Sequence, residues 1–152
     1  MSKLFKLVLL ALAFCIALPA SAAEFGSADE AVAMVNKAVA YLKENGQDKT
    51  VAEANNPKGR FVDRDLYIVI HDMDGKALAN PVLPRMVGMN LSQLKDVDGK
   101  FFIQERLAML KTTDHGWIDF KWPNSLTQKI EKRSVYFERV GELVFTCGIL
   151  KK

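Results

Sequence analysis

The side chains that could do chemistry are few, and they do not form a catalytic set. The chain has two histidines, His71 and His115, and Asp72 follows His71 directly in a segment of alternating residues. Neighbouring residues on a strand point to opposite faces, so His71 and Asp72 are poorly arranged to act together as an acid–base pair. The sequence also lacks the signatures of dinucleotide-binding, P-loop, serine-hydrolase and zinc-peptidase sites. The residues therefore predict no catalytic site.

The acidic residues near His71 predict turns rather than a metal site. Asp72 and Asp74 precede Gly75, where a hairpin turn favours aspartate because its carboxylate accepts backbone hydrogen bonds. Asp96-Val97-Asp98-Gly99 resembles the start of a calcium-binding loop, but no acidic residue stands at the twelfth position of that loop. We therefore predict no bound metal ion and no cofactor.

A second group of residues predicts a small binding pocket. Its members are polar or aromatic side chains from four predicted strands, which strand alternation can bring to one side of a sheet: Tyr67, His71, Asn80, Pro81, Phe120, Trp122, Arg133 and Tyr136. Aromatic walls with a few hydrogen-bonding groups are typical of small-molecule sites. A guanidinium there would bind a carboxylate through two parallel hydrogen bonds. The residues alone leave open that the aromatic side chains belong to the core and that Arg133 is solvated.

A long helix is the first element that would support this pocket. Ser27-Ala28-Asp29-Glu30 is a capping box, apolar residues then recur at steps of three and four, and Asn45-Gly46 favours a left-handed stop. A second short helical segment, about Lys49 to Asn55, ends before Pro57.

From Phe61 onward the apolar period changes to two, which indicates strands. Alternate residues of the first strand are aliphatic and suited to packing under the helix, which leaves the face of Tyr67 and His71 for the pocket. Strands are predicted at 66–71, 76–81, 116–122, 131–140 and 142–151, with an irregular crossover at 85–100 and a short helix at about 101–111 that buries Phe102, Leu107 and Leu110. This order predicts an α+β fold, a PAS-like five-stranded antiparallel sheet with a long N-terminal helix and a short crossover helix.

The first 22 residues predict a secretory signal peptide. A basic start, an apolar run from Leu7 to Leu18 and the small residues of Pro19–Ala23 predict cleavage after Ala22 or Ala23. The apolar run is shorter than the roughly 20 residues that span a bilayer. We therefore predict a signal peptide at residues 1–22 and one domain at residues 23–152, located in the periplasm or secreted.

Composition agrees with one small extracytoplasmic domain. The chain has 152 residues, 49% of them hydrophobic, which is enough for a single core. Without Lys3 and Lys6 of the signal peptide, the chain has 19 basic and 18 acidic residues, so a nucleic-acid partner is not expected. Cys147 then has no partner for an internal disulfide, and its alternation with Phe145 and Ile149 is typical of a buried apolar cysteine.

The sequence resembles the small single Cache domains of bacterial extracytoplasmic sensors. The resemblance runs from about Lys58 to the C-terminus, and the preceding helix matches the long N-terminal helix of that family. The segments that carry it are DLYIVIHDMDGKALANPVLPRMVGMNLSQLKDVDGKFF, GWIDFKWPN and KRSVYFERVGELVFTCGI, in that order. It implies a PAS-like fold whose sheet carries a pocket for small metabolites, often short organic acids.

The resemblance also assigns individual positions. It places the tyrosine of the family's first strand at Tyr67, an aromatic pair at Phe120 and Trp122, and a cation at Arg133, or at Lys132 after a shift of one residue.

Two positions depart from the family pattern. The family's histidine before a proline is Asn80 here, before Pro81, and a tyrosine of its last strand is Leu150. These departures replace a titratable group with a neutral amide and make one edge of the pocket more apolar.

The implied function is binding rather than catalysis. Family members are commonly flanked by two membrane spans and followed by a kinase, methyl-accepting or cyclase module, whereas this chain ends at Lys152. We therefore expect a free-standing periplasmic module that binds a small anionic metabolite and serves a membrane receptor, kinase or transport partner. The alternative is a protein-interaction module whose pocket is empty or vestigial. The helix stripe that covers the sheet leaves a monomer or weak homodimer as the expected state.

Overall fold

In the part of the chain that the structure describes, three α-helices pack on the two faces of one antiparallel sheet. A computed structural model describes residues 25–124 and 127–151. The helices are α1 (Ala28–Asn45), α2 (Gln47–Ala54) and α3 (Phe102–Met109), and a 3-10 turn lies at Pro84–Met86. The strands are β1 (Val62–Asp63), β2 (Leu66–Asp72), β3 (Ala77–Ala79), β4 (His115–Pro123), β5 (Ile130–Val140) and β6 (Leu143–Leu150).

The predicted signal peptide lies outside the described residues, so its cleavage stays a prediction. Within the described ranges, every helix is too short or too polar to cross a bilayer.

The predicted capping box is present at the start of α1. The Glu30 backbone N–H donates to Ser27 Oγ at 3.3 Å, and the Ser27 N–H donates to Glu30 Oε2 at 2.8 Å. At the other end Gly46 has φ +80° and ψ 172°, a positive-φ conformation that glycine reaches without steric cost, although it is not the left-handed helical one that the sequence predicted. The capping box and the Asn45-Gly46 pair therefore predicted both ends of α1 correctly.

The sheet has the strand order β1-β2-β6-β5-β4, and β3 also pairs with β2. All of these pairings are antiparallel, and the predicted hairpin and three-stranded meander are confirmed. The two-residue strand β1 is an addition to the predicted five strands, since two residues carry no readable period.

The two faces of the sheet carry separate cores. Helix α1 covers the face that holds alternate residues of the central strands, including Leu66, Ile68, Ile70, Phe145 and Cys147. The crossover and α3 cover the opposite face, where Phe102, Ile103, Ile118, Val135 and Val144 pack together. The predicted alternation of β2 is therefore confirmed, and Tyr67, Val69 and His71 face the crossover side.

Two aspartates hold turns, and one of them also joins the crossover to the sheet. Asp96 Oδ1 accepts the backbone N–H groups of Asp98 and Lys100, each at 2.9 Å, and Asp96 Oδ2 accepts the N–H of Lys121 on β4 at 3.0 Å. Asp72 Oδ1 likewise accepts two N–H groups of its own turn, at 3.0 and 2.8 Å. Both aspartates hold turns, as the sequence predicted for Asp72.

Candidate functional site

A cavity of about 90 Å³ lies between the sheet and the crossover, and we call it the inner cavity. Its lining residues come from every strand except β1, and from the crossover and α3: Tyr67, Val69, His71, Ala77, Met86, Leu91, Leu94, Phe102, Ile103, Arg106, Phe120, Trp122, Arg133, Val135, Thr146 and Gly148. One water molecule needs at least roughly 10–15 Å³ of such space, so the cavity has room for a ligand about as large as six water molecules.

Arg133 lines the inner cavity from β5. The residue is 3% exposed, and its Nη2 donates to the carbonyl oxygen of Gly148 on β6 at 2.8 Å. A Cβ atom at Gly148 would lie 3.3 Å from Arg133 Nε, so glycine there allows the guanidinium to lie close over β6. The Nη1 group is buried without a hydrogen-bond partner among the described residues. Arg133 therefore has hydrogen-bonding capacity left for a ligand.

A second arginine, Arg106, reaches the inner cavity from α3. It is 4% exposed, and its Nε has no partner within the described parts of the chain. Burial lowers the pKa of this guanidinium to about 9. Across residues 25–124 and 127–151, neither Arg106 nor Arg133 forms an ion pair with an acidic side chain. A buried, unpaired guanidinium is costly, and two in one cavity indicate a site for an anion.

Sequence reasoning missed Arg106. The position carried one signal, because Arg106 follows Phe102 and Ile103 at helical spacing and therefore lies on the buried face of α3. The sequence pattern predicts Phe102, Leu107 and Leu110 on that face. In the structure Leu107 is only half-buried, and Arg106 takes its place in the interior.

His71 contributes a ring nitrogen to the same cavity. Its Nδ1 lies 3.0 Å from the carbonyl oxygen of Asp72, and its Nε2 is buried with no partner in the described part of the chain. Burial, and secondarily the positive charge of Arg106, lower the pKa of His71 to about 3. The ring is therefore neutral at physiological pH.

Aromatic rings form one wall. Phe102 of α3 stacks on Phe120 of β4 with centroids 4.0 Å apart and planes 10° apart, and its centroid lies 5.6 Å from that of Trp122. Tyr67 and Trp122 also line a neighbouring outer cleft that includes Arg85. On the β2 side, burial raises the pKa of the Tyr67 hydroxyl. These rings surround the polar groups with apolar surface, which strengthens their interaction with a charged ligand.

The structure brings five of the eight predicted site residues together at the inner cavity. They are Tyr67, His71, Phe120, Trp122 and Arg133.

Tyr136 lies on the other face of the sheet. It is three residues from Arg133 on the same strand, so side-chain alternation points the two in opposite directions. Its ring is 5.3 Å from that of Trp117, and its hydroxyl donates to Glu138 Oε2 at 3.2 Å. The expectation that Arg133 and Tyr136 share one side of the sheet was wrong.

Asn80 and Pro81 do not line the inner cavity either. Asn80 Oδ1 accepts the N–H groups of Val82 and Leu83 at 3.1 and 2.8 Å, so the side chain that replaces the family's histidine forms a turn. The Asn80 backbone N–H donates to Asn55 Oδ1 at 3.0 Å, which holds this turn against the end of α2.

Three other residues that the sequence singled out do not line the inner cavity. Lys132 is exposed and neighbours Arg133 in sequence, so it projects to the opposite face of β5. Leu150 is half-buried and does not line the inner cavity. Cys147 is 1% exposed, its Sγ lies 3.9 Å from Met34 Sδ under α1, and burial raises the pKa of its thiol to about 12. The prediction of a buried apolar cysteine is confirmed.

Comparison with known families decides the assignment. The model of Single Cache domain 2 matches residues 27–144, well over half of the chain. This chain belongs to the single Cache domain family. Cache domains are extracytoplasmic sensor domains that bind ligands, rather than enzymes.

Solved structures agree with this fold. A Cache chemosensory domain determined for its recognition of carboxylic acids superposes with a TM-score of 0.72 at 19% identity, covering 82% of this chain and 92% of that one. A methyl-accepting chemotaxis protein from Vibrio parahaemolyticus gives a TM-score of 0.68 at 25% identity, covering 80% and 86%. The periplasmic sensor domain of a chemotaxis protein gives 0.64 at 19% identity, covering 82% and 90%.

A curated relative is similar over a shorter stretch. The methyl-accepting chemotaxis protein McpP of Pseudomonas putida is 31% identical over 61 residues, which is 40% of this chain. The aligned part spans 11% of the length of McpP.

Proposed function

We propose that this Cache domain binds a short carboxylate in its inner cavity, in the periplasm, and serves a membrane signalling or transport partner. One observation carries the proposal. Arg106 and Arg133 are both buried at the inner cavity, each with an N–H group that lacks a partner among the described residues.

The charge of the lining favours an anion. Two guanidinium groups line the inner cavity, and no acidic side chain of the described residues does. Isolated buried charges are unfavourable, so a bound carboxylate would compensate both the charge and the missing hydrogen bonds. A guanidinium presents a planar set of donors that matches the two oxygens of a carboxylate.

The volume and the relatives agree with a small ligand. A cavity of about 90 Å³ is of the size that a short organic acid fills. The solved Cache chemosensory domain described above recognises carboxylic acids, and the curated relative is a methyl-accepting chemotaxis protein.

Binding is tested by thermal shift and calorimetry with the folded domain and short mono- and dicarboxylates. A ligand that binds only the folded state raises the melting temperature at saturating concentration. Arg133→Ala removes a charge-assisted hydrogen bond of about 1.5 to 3 kcal/mol, so we expect the affinity for the best acid to fall roughly 10- to 150-fold.

Lys132→Ala is the matched control, because it removes the adjacent cation from the opposite face of β5. We expect its affinity to stay at the wild-type value. Equal losses in the two variants would assign the effect to the overall charge of the strand. A folded protein with no response to any carboxylate would favour the alternative, a protein-interaction module.

A further inference from the structure

The tautomer of His71 follows from its hydrogen bond. Its Nδ1 lies 3.0 Å from the backbone carbonyl oxygen of Asp72, and a carbonyl oxygen can only accept. Nδ1 therefore carries the proton of the neutral ring, and Nε2 presents a bare lone pair. The ring stays neutral because burial lowers its pKa to about 3.

The inner cavity thus offers donors and an acceptor at once. The donors without partners in the described residues are Arg106 Nε and Arg133 Nη1, and the buried acceptor is His71 Nε2. The nearby Thr146 hydroxyl does not satisfy this acceptor, because it donates to the carbonyl oxygen of Val69 at 3.3 Å. A simple carboxylate would satisfy the arginines and leave His71 Nε2 unpaired.

We propose that the ligand is a short hydroxycarboxylate, whose carboxylate binds the arginines and whose hydroxyl donates to His71 Nε2. This inference rests on the proposed function. The donor is a hydroxyl rather than an ammonium group, because a positive charge would be repelled by Arg106 and Arg133 in an apolar enclosure. His71 is then the residue that determines specificity, since a site that pairs with a ligand hydroxyl discriminates against analogues that lack it.

The test uses acids that differ at one position. Calorimetry compares L-lactate and D-lactate with propionate, which lacks the hydroxyl, and with pyruvate, which places an acceptor there. We expect one lactate enantiomer to bind roughly 5- to 150-fold more tightly than propionate, the range set by one unsatisfied buried acceptor. Pyruvate should bind no better than propionate.

His71→Asn isolates the acceptor. Its amide can still donate toward the Asp72 carbonyl but does not reach the position of Nε2, so the ratio of lactate to propionate affinity should fall towards one. His115→Asn is the control, because His115 is exposed and does not line the inner cavity. That variant should keep the wild-type ratio.

A direct readout does not depend on the variants. With two histidines in the chain, nitrogen-15 spectra can resolve both rings, and His71 Nε2 should give the shift of an unprotonated nitrogen. Lactate should move this signal more than propionate does. Equal affinity for propionate and both lactates, or a protonated Nε2, would overturn the inference while leaving carboxylate binding intact. Silence towards all four acids and the longer carboxylates would instead count against the proposed function.

Discussion

Arg106 is a residue that folding alone would not select. It lies on the buried side of an amphipathic helix, between the buried residues Phe102 and Leu110 in the sequence. It has no ion pair among the described residues. Residues that break the rules of core packing are expected where a protein binds something. The free domain therefore carries an unfavourable buried charge that a bound anion would compensate.

Replacing this charge should stabilise the empty domain. Arg106→Met keeps an unbranched side chain and removes the buried guanidinium, so we expect a higher melting temperature without ligand, on the order of 4 °C for each kcal/mol gained. The same variant should lose the rise in melting temperature that a carboxylate produces.

Arg60→Met provides the control for this experiment. Arg60 is half-exposed and pairs with Glu53 at 3.5 Å, and exposed pairs of this kind contribute little. We expect a small change in melting temperature and a normal response to ligand. A lower melting temperature for Arg106→Met would show that the arginine has stabilising partners in the free protein.

His71 should make stability depend on pH. Its folded pKa of about 3 is below the ordinary 6.5, so between these values the unfolded chain binds a proton that the folded domain does not. Stability is therefore full above about pH 6.5 and falls as the pH drops towards 3. The slope approaches about 1.4 kcal/mol per pH unit.

The measurement is urea unfolding of the wild type and of His71→Asn between pH 4 and pH 7, at intervals of about one pH unit. The difference in unfolding free energy between the two proteins should change with pH by the stated slope. Parallel curves would mean that His71 titrates alike in both states.

Residue types limited what the sequence could show at this scale. Arg133 was predicted because a strand pattern and a family resemblance both point to it. Arg106 was not, because an arginine in a helix is usually solvated, and its helical spacing from Phe102 and Ile103 is a weak signal beside that tendency. The lone pair of His71 depends on the Asp72 carbonyl, a backbone contact that no residue pattern encodes.

At the scale of elements, the crossover is the part that closes the inner cavity. It supplies Met86, Leu91 and Leu94, and it is held to β4 by the carboxylate of Asp96. The backbone N–H groups of Lys121 and Lys100 that donate to this carboxylate hold the pKa of Asp96 below its ordinary value.

Asp96→Ala should loosen the crossover. It removes the acceptor for the N–H groups of Asp98, Lys100 and Lys121, so we expect faster hydrogen exchange at these amides and weaker ligand binding. Asp98→Ala is the control in the same turn, since Asp98 contacts the exposed Lys121 Nζ and holds no backbone amide in the described residues. Equal exchange rates in the two variants would exclude Asp96 as the anchor.

Elements with strong periods were predictable. The capping box, the Asn45-Gly46 stop and the alternation of β2 led to the correct α1 and to the correct faces. Short elements were not, and β1 has only two residues. The placement of Arg133 and Tyr136 on one side failed because strand alternation separates residues three apart.

For the whole molecule, β6 joins the two sides of the domain. Thr146 and Gly148 line the inner cavity, whereas Phe145 and Cys147 pack under α1. The sequence predicted the order of the elements, because the hydrophobic patterns are local. Its resemblance to the single Cache domains predicted the family. It did not predict which helix would supply a second cation to the cavity, since that depends on how α3 docks.

Because Cys147 lies under α1, on the face of the sheet opposite the inner cavity, the rate at which its thiol is labelled can report motion of that side of the domain. Cys147 is the free cysteine of the described residues, and a thiol reagent can reach its sulfur only when α1 separates from the sheet. In native conditions the labelling rate therefore reports the opening of the domain. A carboxylate in the inner cavity should slow labelling in proportion to its occupancy, although it touches neither Cys147 nor α1. An unchanged rate at saturation would mean that α1 opens while the other half stays closed.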